Sequence, residues 1–437
     1  MALDWRNWGA YNPYWSTTLW CASFRLNDLT LPTGITLVTT APAHPFAGVA
    51  AERVVEFDMS GSHKLILLVN ANNLDDGAVS VPPDATKRWA MVNCFDLYLY
   101  SGNMPTTDFE LFSAEAIPAI YQLDCTSAGL VKFYIDGSLV ATSSTALTFD
   151  AWQQVEIWHV FNDAAGNPLT TDQWVVRKVT NLTSTIDETT LINVTANSPL
   201  SDANTIPTTT TYGSATAEDA GSKMRMCNFA GGWLDADAGW IVNRTELLTP
   251  NGIGSVDEWT GTAAAADVDE SGNGVPDDAT TTDQIDLTAS QTKYEHYDMD
   301  EPSGYCTTGD TVITMQAFVR VETDAPSKGT FSGLQPLISD GAGTRVVGND
   351  QVSSGADNTL YLTTIIRRRL DPSGSVWTPA GIAGVEMGVK GFVTGTAGCT
   401  VKVSTVTGIV LYGKSGETTA AIDAPAASTR RRFAAVI

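Results

Sequence analysis

Basic residues are scarce in this chain. Of its 437 residues, 25 are Lys or Arg and 49 are Asp or Glu, and the resulting formal charge of -24 argues against nucleic acid and anionic lipid as main partners. Cysteine is also sparse. Cys21, Cys94, Cys125, Cys227, Cys306 and Cys399 stand singly, with no CxxC and no Cys/His cluster for zinc, so they read as reduced core residues. No window approaches the roughly 20 apolar residues that span a bilayer, so membrane insertion is not expected. The N-terminal MALDWRNWGAYNPYW lacks a basic stretch followed by an apolar run, so no secretory leader is expected, and the sequons at Asn181, Asn193 and Asn243 read as chance matches. Histidine occurs only at His44, His63, His159 and His296, none within GxSxG or HExxH, so nothing points to nucleophilic or zinc-dependent hydrolysis. Long runs of helix formers with 3.6-residue periodicity are missing too.

What is present is the composition of an all-β protein: Thr, Ala and Gly in abundance, with turn residues every ten or so positions. The length suggests two domains with appendages. The most telling stretch is LVKFYIDGSLVATSSTALTFDAWQQVEIWHVF, from Leu130 to Phe161. Val131, Phe133 and Ile135 alternate with Lys132, Tyr134 and Asp136, the period of a strand with one face on a core. Asp136-Gly137 closes a tight hairpin, and Leu139 and Val140 begin the return. A third strand runs from Trp152, with Val155, Ile157 and His159 on one face and Glu156, Trp158 and Val160 on the other.

The segment resembles the corresponding stretch of laminin-G-like and concanavalin A-like jelly rolls. The expected architecture is therefore an antiparallel jelly-roll sandwich (concanavalin A-like) at 49–250, a second, smaller β-sandwich at 251–437 and an extended arm at 1–48. The arm gathers Trp5, Trp8, Tyr11, Tyr14, Trp15 and Trp20, amphipathic rings that suit docking on a partner or folding back on the first domain. Residues 225–248 are expected to close the jelly roll as two strands separated at Gly231-Gly232, with a boundary at the turn formers Thr249 to Gly252. Four or five strands are expected beyond it.

Four further pieces occur in order: VNRTELLTPNGIGSVDEWTG, DVDESGNGVPDDATTTDQIDL, MQAFVRVET and RRRLDPSGSVWTPAGIAGVEMGVK. Together they resemble a group of tailed-phage virion proteins in which a laminin-G-like jelly roll precedes a second β-module. The resemblance implies a structural protein of the virion, on capsid, neck or tail, homo-oligomeric, contacting other virion proteins and without an enzymatic role. The chain departs from that group in its aromatic arm, which leaves the mode of attachment open. The alternative is a secreted or surface carbohydrate-binding protein, or a glycoside hydrolase, of the same fold.

Candidate sites follow from residue chemistry. Asp267, Asp269, Ser271, Asn273 and Asp278, with Gly272 at the sixth position, have the oxygen-ligand spacing of a calcium loop, but GTAAAA and DDATTTDQ stand where flanking helices should be. Calcium and a solvated acidic turn are both open there, and no other cofactor is expected. Asp75, Asp76, Asp124, Asp235 and Asp237 read as a solvated acidic rim. Glu56-Phe57-Asp58 begins like the ExDxxE strand of retaining glycosidases, yet Ser60 and Gly61 follow and the third carboxylate is missing, so the pair reads as the outward face of a strand. Trp89, Trp233 and Trp240 are candidates for stacking a host-surface glycan. Arg367, Arg368 and Arg369 suit acidic neighbours or local neutralisation, while Arg430, Arg431 and Arg432 before FAAVI suit docking, so these last three and Trp5, Trp8 and Trp15 are assigned to assembly.

Overall fold

The computed structural model describes residues 34–38, 42, 54–61, 64–68, 90–115, 120–163, 167–180, 187–196, 209–213, 219–234, 241–259, 268, 283–300, 306–323, 331–348, 362–368, 370–393 and 398–418. The first thirteen strands are β1 (Ile35–Val38), β2 (Val54–Asp58), β3 (Lys64–Leu68), β4 (Ala90–Leu99), β5 (Phe109–Glu115), β6 (Ile120–Cys125), β7 (Leu130–Ile135), β8 (Ser138–Ala146), β9 (Trp152–Asn162), β10 (Pro168–Thr180), β11 (Asp187–Thr195), β12 (Thr209–Gly213) and β13 (Lys223–Leu234). They form a seven-stranded sheet, β1-β2-β13-β4-β9-β10-β11, and a six-stranded sheet, β3-β12-β5-β6-β7-β8, antiparallel throughout. This is the jelly-roll type of sandwich that the resemblance of Leu130–Phe161 implies.

Alternation decides which face each strand gives to the core. In β4, Phe95, Leu97 and Leu99 are buried against the six-stranded sheet, and β9 contributes Val155 and Ile157. From the other sheet come Phe112, Tyr121, Phe133 and Tyr212. The hairpin from β7 to β8 turns at Asp136 (φ 48°) and Gly137 (φ 69°), the two positive dihedrals of a type I′ turn, so Ile135 pairs directly with Ser138. His159 lies on the core side as expected: its ring stacks on Trp174 at 3.9 Å, and its Nε2 is 2.7 Å from Asp172 Oδ2.

The remaining strands are β14 (Ile241–Leu248), β15 (Pro250–Asp257), β16 (Asp283–Leu287), β17 (Thr292–Met299), β18 (Thr311–Thr323), β19 (Phe331–Ser339), β20 (Arg345–Val347), β21 (Leu362–Arg368), β22 (Glu386–Val393) and β23 (Cys399–Thr418). One five-stranded sheet runs β14-β23-β18-β21 with β16 also on β23, and the other runs β15-β17-β22-β19-β20. They enclose a separate apolar cluster that includes Trp259, Tyr297, Met315, Met387 and Val403.

Several sequence expectations change here. Residues 225–248 do not close the jelly roll as a pair: β13 runs unbroken through Gly231-Gly232, and β14 pairs with β23 in the other sandwich. The turn formers Thr249 to Gly252 lead straight into β15, because Pro250 is the first residue of an edge strand, where its missing N–H is tolerated. The nine described strands from β15 to β23 exceed the four or five expected beyond that boundary, since glycine-rich PNGIGSVD and the short RVV carry little β propensity of their own. VWTPAGI leads into a one-turn helix α1 (Pro379–Ile382), capped by Thr378 Oγ1 accepting from Gly381 N. The five described cysteines are all buried.

Phe95 has no exposed surface and touches Phe112 and Tyr212 across the sandwich. Phe95→Ala is expected to destabilise the first sandwich by about 3–5 kcal/mol. Leu139→Ala, at the 53 % exposed hairpin position, should stay within about 0.5 kcal/mol of wild type in the same denaturant titration.

Candidate functional site

Side chains on the outward face of the seven-stranded sheet form rows set by strand register. One row runs Glu56, Arg225, Tyr98 and Trp152 across β2, β13, β4 and β9. The next runs Cys227, Asp96, Gln154 and Val179, and a third carries Cys94, Glu156 and Arg177. Val54, Tyr98, Trp152, Val179 and Cys227 make an apolar cluster of their own, apart from the sandwich core, with Val38 and Tyr100 packed against it.

At one end of this face, turns meet and fix the rim. Met59 N donates to Ser222 O at 2.9 Å, Lys223 N to Asn103 O at 3.0 Å, Asn103 Nδ2 to Gly221 O at 2.9 Å and Asp150 N to Leu99 O at 2.8 Å. Asp150 also accepts from Ser101 N and Asp219 from Thr106 N, bonds that hold both carboxyls below the usual carboxylate range. Within this frame Tyr98 meets Tyr100 edge-on at 5.0 Å and Trp152 at 5.5 Å.

Glu56 is the hub. Its carboxylate accepts from Lys223 Nζ at 2.9 Å, Arg225 Nε at 2.8 Å and the Tyr100 hydroxyl at 3.2 Å. Burial pushes its pKa up, but the two cations pull it down further, and the net position is below the ordinary value. Arg225 also donates to Pro42 O at 3.2 Å and lies over the Tyr100 ring at 5.6 Å. Burial and the neighbouring Glu56 carboxylate push the Tyr100 hydroxyl up to about 12, against the opposing pull of Arg225, so it remains a donor at neutral pH. The expected outward-facing role of Glu56 and Asp58 thus matches their position, and the charges paired with Glu56 come from β13, a strand 167 residues further along the chain.

Deeper on the face, Gln154 Nε2 donates to Asp96 Oδ1 at 3.3 Å and Trp158 Nε1 to Glu156 Oε2 at 2.8 Å. Arg177 bonds Glu188 at 3.1 Å and lies over Trp158 at 5.3 Å. Asp96 and Glu156 are both fully buried, on neighbouring strands one row apart, which sets their Cα atoms about 7–8 Å apart. Alternation in FDLYLY and QVEIW marks these residues as a face; that they share it with Glu56 is fixed only by strand order.

Most residues singled out from the sequence lie outside the described region: Trp5, Trp8, Trp15, Trp89, Trp240, Asp267, Asp269, Ser271, Asn273, Asp278, Arg430, Arg431 and Arg432. Trp233 falls in β13 opposite Met91. Asp124 is on the outward face of the six-stranded sheet, paired with Glu110 and Lys132, so it does not join Glu56. Burial, with Asp108 adding to it, raises its pKa. Among the described residues no group of three or more His, Cys, Asp or Glu is arranged to hold a metal, and no helix is long and apolar enough to cross a membrane.

The fold and this face define a β-sandwich of the jelly-roll type with a polar, aromatic outer surface. No family model and no curated protein matches the sequence. Similar solved structures include an alginate lyase from Chlorella virus, with TM-score 0.28 and 13 % identity over 46 % of this chain and 88 % of that one. Another is the alginate lyase of Aplysia kurodai, with TM-score 0.29 and 9 % identity over 45 % and 86 %. A third is the catalytic domain of a glycoside hydrolase family 131 protein from Coprinopsis cinerea, with TM-score 0.27 and 11 % identity over 47 % and 79 %. Likeness at this level concerns the sandwich alone and transfers no residue. The sequence reading that denied the chain an enzymatic role is nonetheless corrected, because the similar sandwiches include lyases and a glycoside hydrolase.

The Glu56 hub makes a pH prediction. Its folded pKa lies below its unfolded one, so the stability it contributes is present above the ordinary carboxylate value and is lost as pH falls through the folded value. Thermal melts of wild type and Glu56→Gln should therefore differ most near neutrality and converge in acid. Arg225→Met should cost about 1–3 kcal/mol at pH 7, since it leaves Glu56 with fewer donors in a half-buried place.

Proposed function

We propose that the chain is a structural protein of a tailed-phage particle whose first sandwich contacts host-surface glycans at Tyr100, a partly exposed ring packed on the buried Tyr98 and Trp152. The observation that carries the contact is the aromatic group set beside the Glu56, Lys223 and Arg225 hydrogen-bonding hub, with Lys223 45 % exposed. The Tyr100 ring offers apolar area to the C–H face of a sugar, and fixed carboxylate and cationic groups bond its hydroxyls. The turns that hold the rim reduce the ordering cost of binding. Support for the particle comes from the four ordered sequence pieces, of which the first spans β14 and β15, the third lies in β18, and the last runs from the end of β21 through α1 into β22. Other virion proteins and further copies of the chain are its partners in this reading, with the aromatic arm and Arg430 to Arg432 as attachments and calcium at Asp267 to Asp278.

A second reading, a carbohydrate-cleaving protein, is favoured by one observation: Asp96 and Glu156 place two carboxyls on a single face, the raw material of glycoside hydrolysis. Reducing-end release from a polysaccharide panel, abolished by Asp96→Asn or Glu156→Gln in a folded variant, would establish it over the first.

Two measurements test the first reading. Mass spectrometry and reconstruction of purified particles should find the chain in the virion, and its absence there removes the assignment. On a glycan array the wild type should bind at least one class of sugar, and Tyr100→Ala should weaken that binding about tenfold, corresponding to roughly 1.4 kcal/mol. An array at background throughout removes the glycan contact.

A further inference from the structure

The second sandwich carries a buried ionisable pair that the proposed function does not use. His296 of β17 has a side chain 1 % exposed, and its Nδ1 lies 2.8 Å from Glu386 Oε2 of β22. Glu386 also accepts from Ser255 N at 2.5 Å and Ser255 Oγ at 2.8 Å on β15. Gly254 lets β15 close over the pair, since a Cβ there would stand 2.8 Å from His296 Cβ and 3.0 Å from the Glu386 carboxyl carbon. On the other side of the ring, Arg345 NH1 of β20 lies 3.2 Å from Nε2.

The partners fix the proton. A guanidinium only donates, so Nε2 must be the acceptor, and the proton of a neutral ring therefore sits on Nδ1 and is donated to Glu386. Arg345 stacks on Tyr294 at 4.1 Å, and β20 itself is a three-residue edge strand joined to β19 at Leu337, Ile338 and Ser339. The bond from Arg345 to Nε2 is thus a polar tie of a weak edge strand to β17, an inner strand three places along its sheet.

We propose that His296 is an acid-operated latch: protonation of Nε2 removes the lone pair that holds Arg345, sets two N–H donors and two positive charges face to face, and releases β20 from the sheet. The proton comes from solvent, and Glu386 keeps its bond to Nδ1 in both states. The other groups around the ring do not replace the lost acceptor. Glu258, after β15, favours the charged ring from a distance, while Lys390 of β22 is bonded to Gln335 at 2.8 Å and lies over Phe392. Asp298 faces solvent on the same strand as His296. Burial, the largest influence, and Arg345 lower the pKa of His296 more than Glu386 and Glu258 raise it, so the resting ring is neutral. Because the folded value is depressed, the latch is closed above the ordinary histidine value of about 6.5 and opens as pH falls below it through the folded value.

Two variants separate this device from general acid sensitivity. His296→Gln presents an amide donor to Glu386 and a carbonyl acceptor to Arg345, the same polarity without a titrating ring. Hydrogen exchange of β20 amides, corrected for intrinsic rates, should lose protection in wild type between pH 7.5 and pH 5 and stay protected in His296→Gln. Arg345→Met removes the opposing charge, so the NMR titration of the His296 ring, one of four histidines in the chain, should move upward relative to wild type. The inference fails if wild-type His296 titrates at or above the ordinary value, if Arg345→Met leaves the titration where it was, or if His296→Gln loses β20 protection as wild type does. Should His296→Gln not fold, the two ring titrations decide the matter alone.

Discussion

The aromatic seam between the two sheets of the first sandwich is the contact on which the rest of that unit depends. Phe95 and Trp174 on the seven-stranded side meet Phe112, Tyr121, Phe133 and Tyr212 on the other, with ring centroids 5.0–6.0 Å apart in the contacts Phe95–Phe112, Phe95–Tyr212, Tyr121–Trp174 and Phe133–Trp174. Each ring buries a large apolar area, and tilted or edge-on pairs add about 0.5–1.5 kcal/mol beyond area alone. The seam also assigns faces. Once Phe95 points inward, Asp96 and Tyr98 cannot, and the outward rows follow from a period of two.

Register then locks through charge. Arg225 lies directly opposite Glu56, and a one-residue slip of β13 would turn Arg225 and Lys223 into a core now filled by Met224 and Met226. Burying an unpaired guanidinium costs several kcal/mol, so the slipped pairing is excluded by more than the loss of two methionine contacts. The ion pairs on this face matter chiefly as a penalty on wrong pairings, since replacing a buried pair by apolar groups is often neutral in net stability.

Local structure was legible where a strand and its turn are contiguous. Leu130 to Phe161 announces β7, the type I′ turn and β9 because period-two alternation and Asp-Gly chemistry act within a few residues. What was not legible is which distant strands meet. Nothing in VVEFD says that its partner is KMRM, 167 residues on, so the sequence shows Glu56 as part of an outward face and does not show its cations. The same limit misplaced Ile241–Leu248, whose apolar pattern fits either sandwich; only pairing with β23 assigns it. The clustering of Tyr98, Tyr100 and Trp152 is likewise invisible in the sequence, because turns converging in space bring them together.

The two sandwiches use the same device differently. In the first, a lysine and an arginine, Lys223 and Arg225, surround one carboxylate. In the second, the place of a permanent cation beside Glu386 is taken by a histidine, whose charge is held off by burial and by Arg345. A cation at position 296 would have satisfied Glu386 more strongly but would have repelled Arg345 at every pH. Neutral imidazole is the side chain that donates to a carboxylate on one edge and accepts from a guanidinium on the other, and the same property makes the contact reversible. The carboxylate of the first sandwich therefore has lysine and arginine partners and no imidazole, whereas the second contains a strand whose attachment depends on one proton.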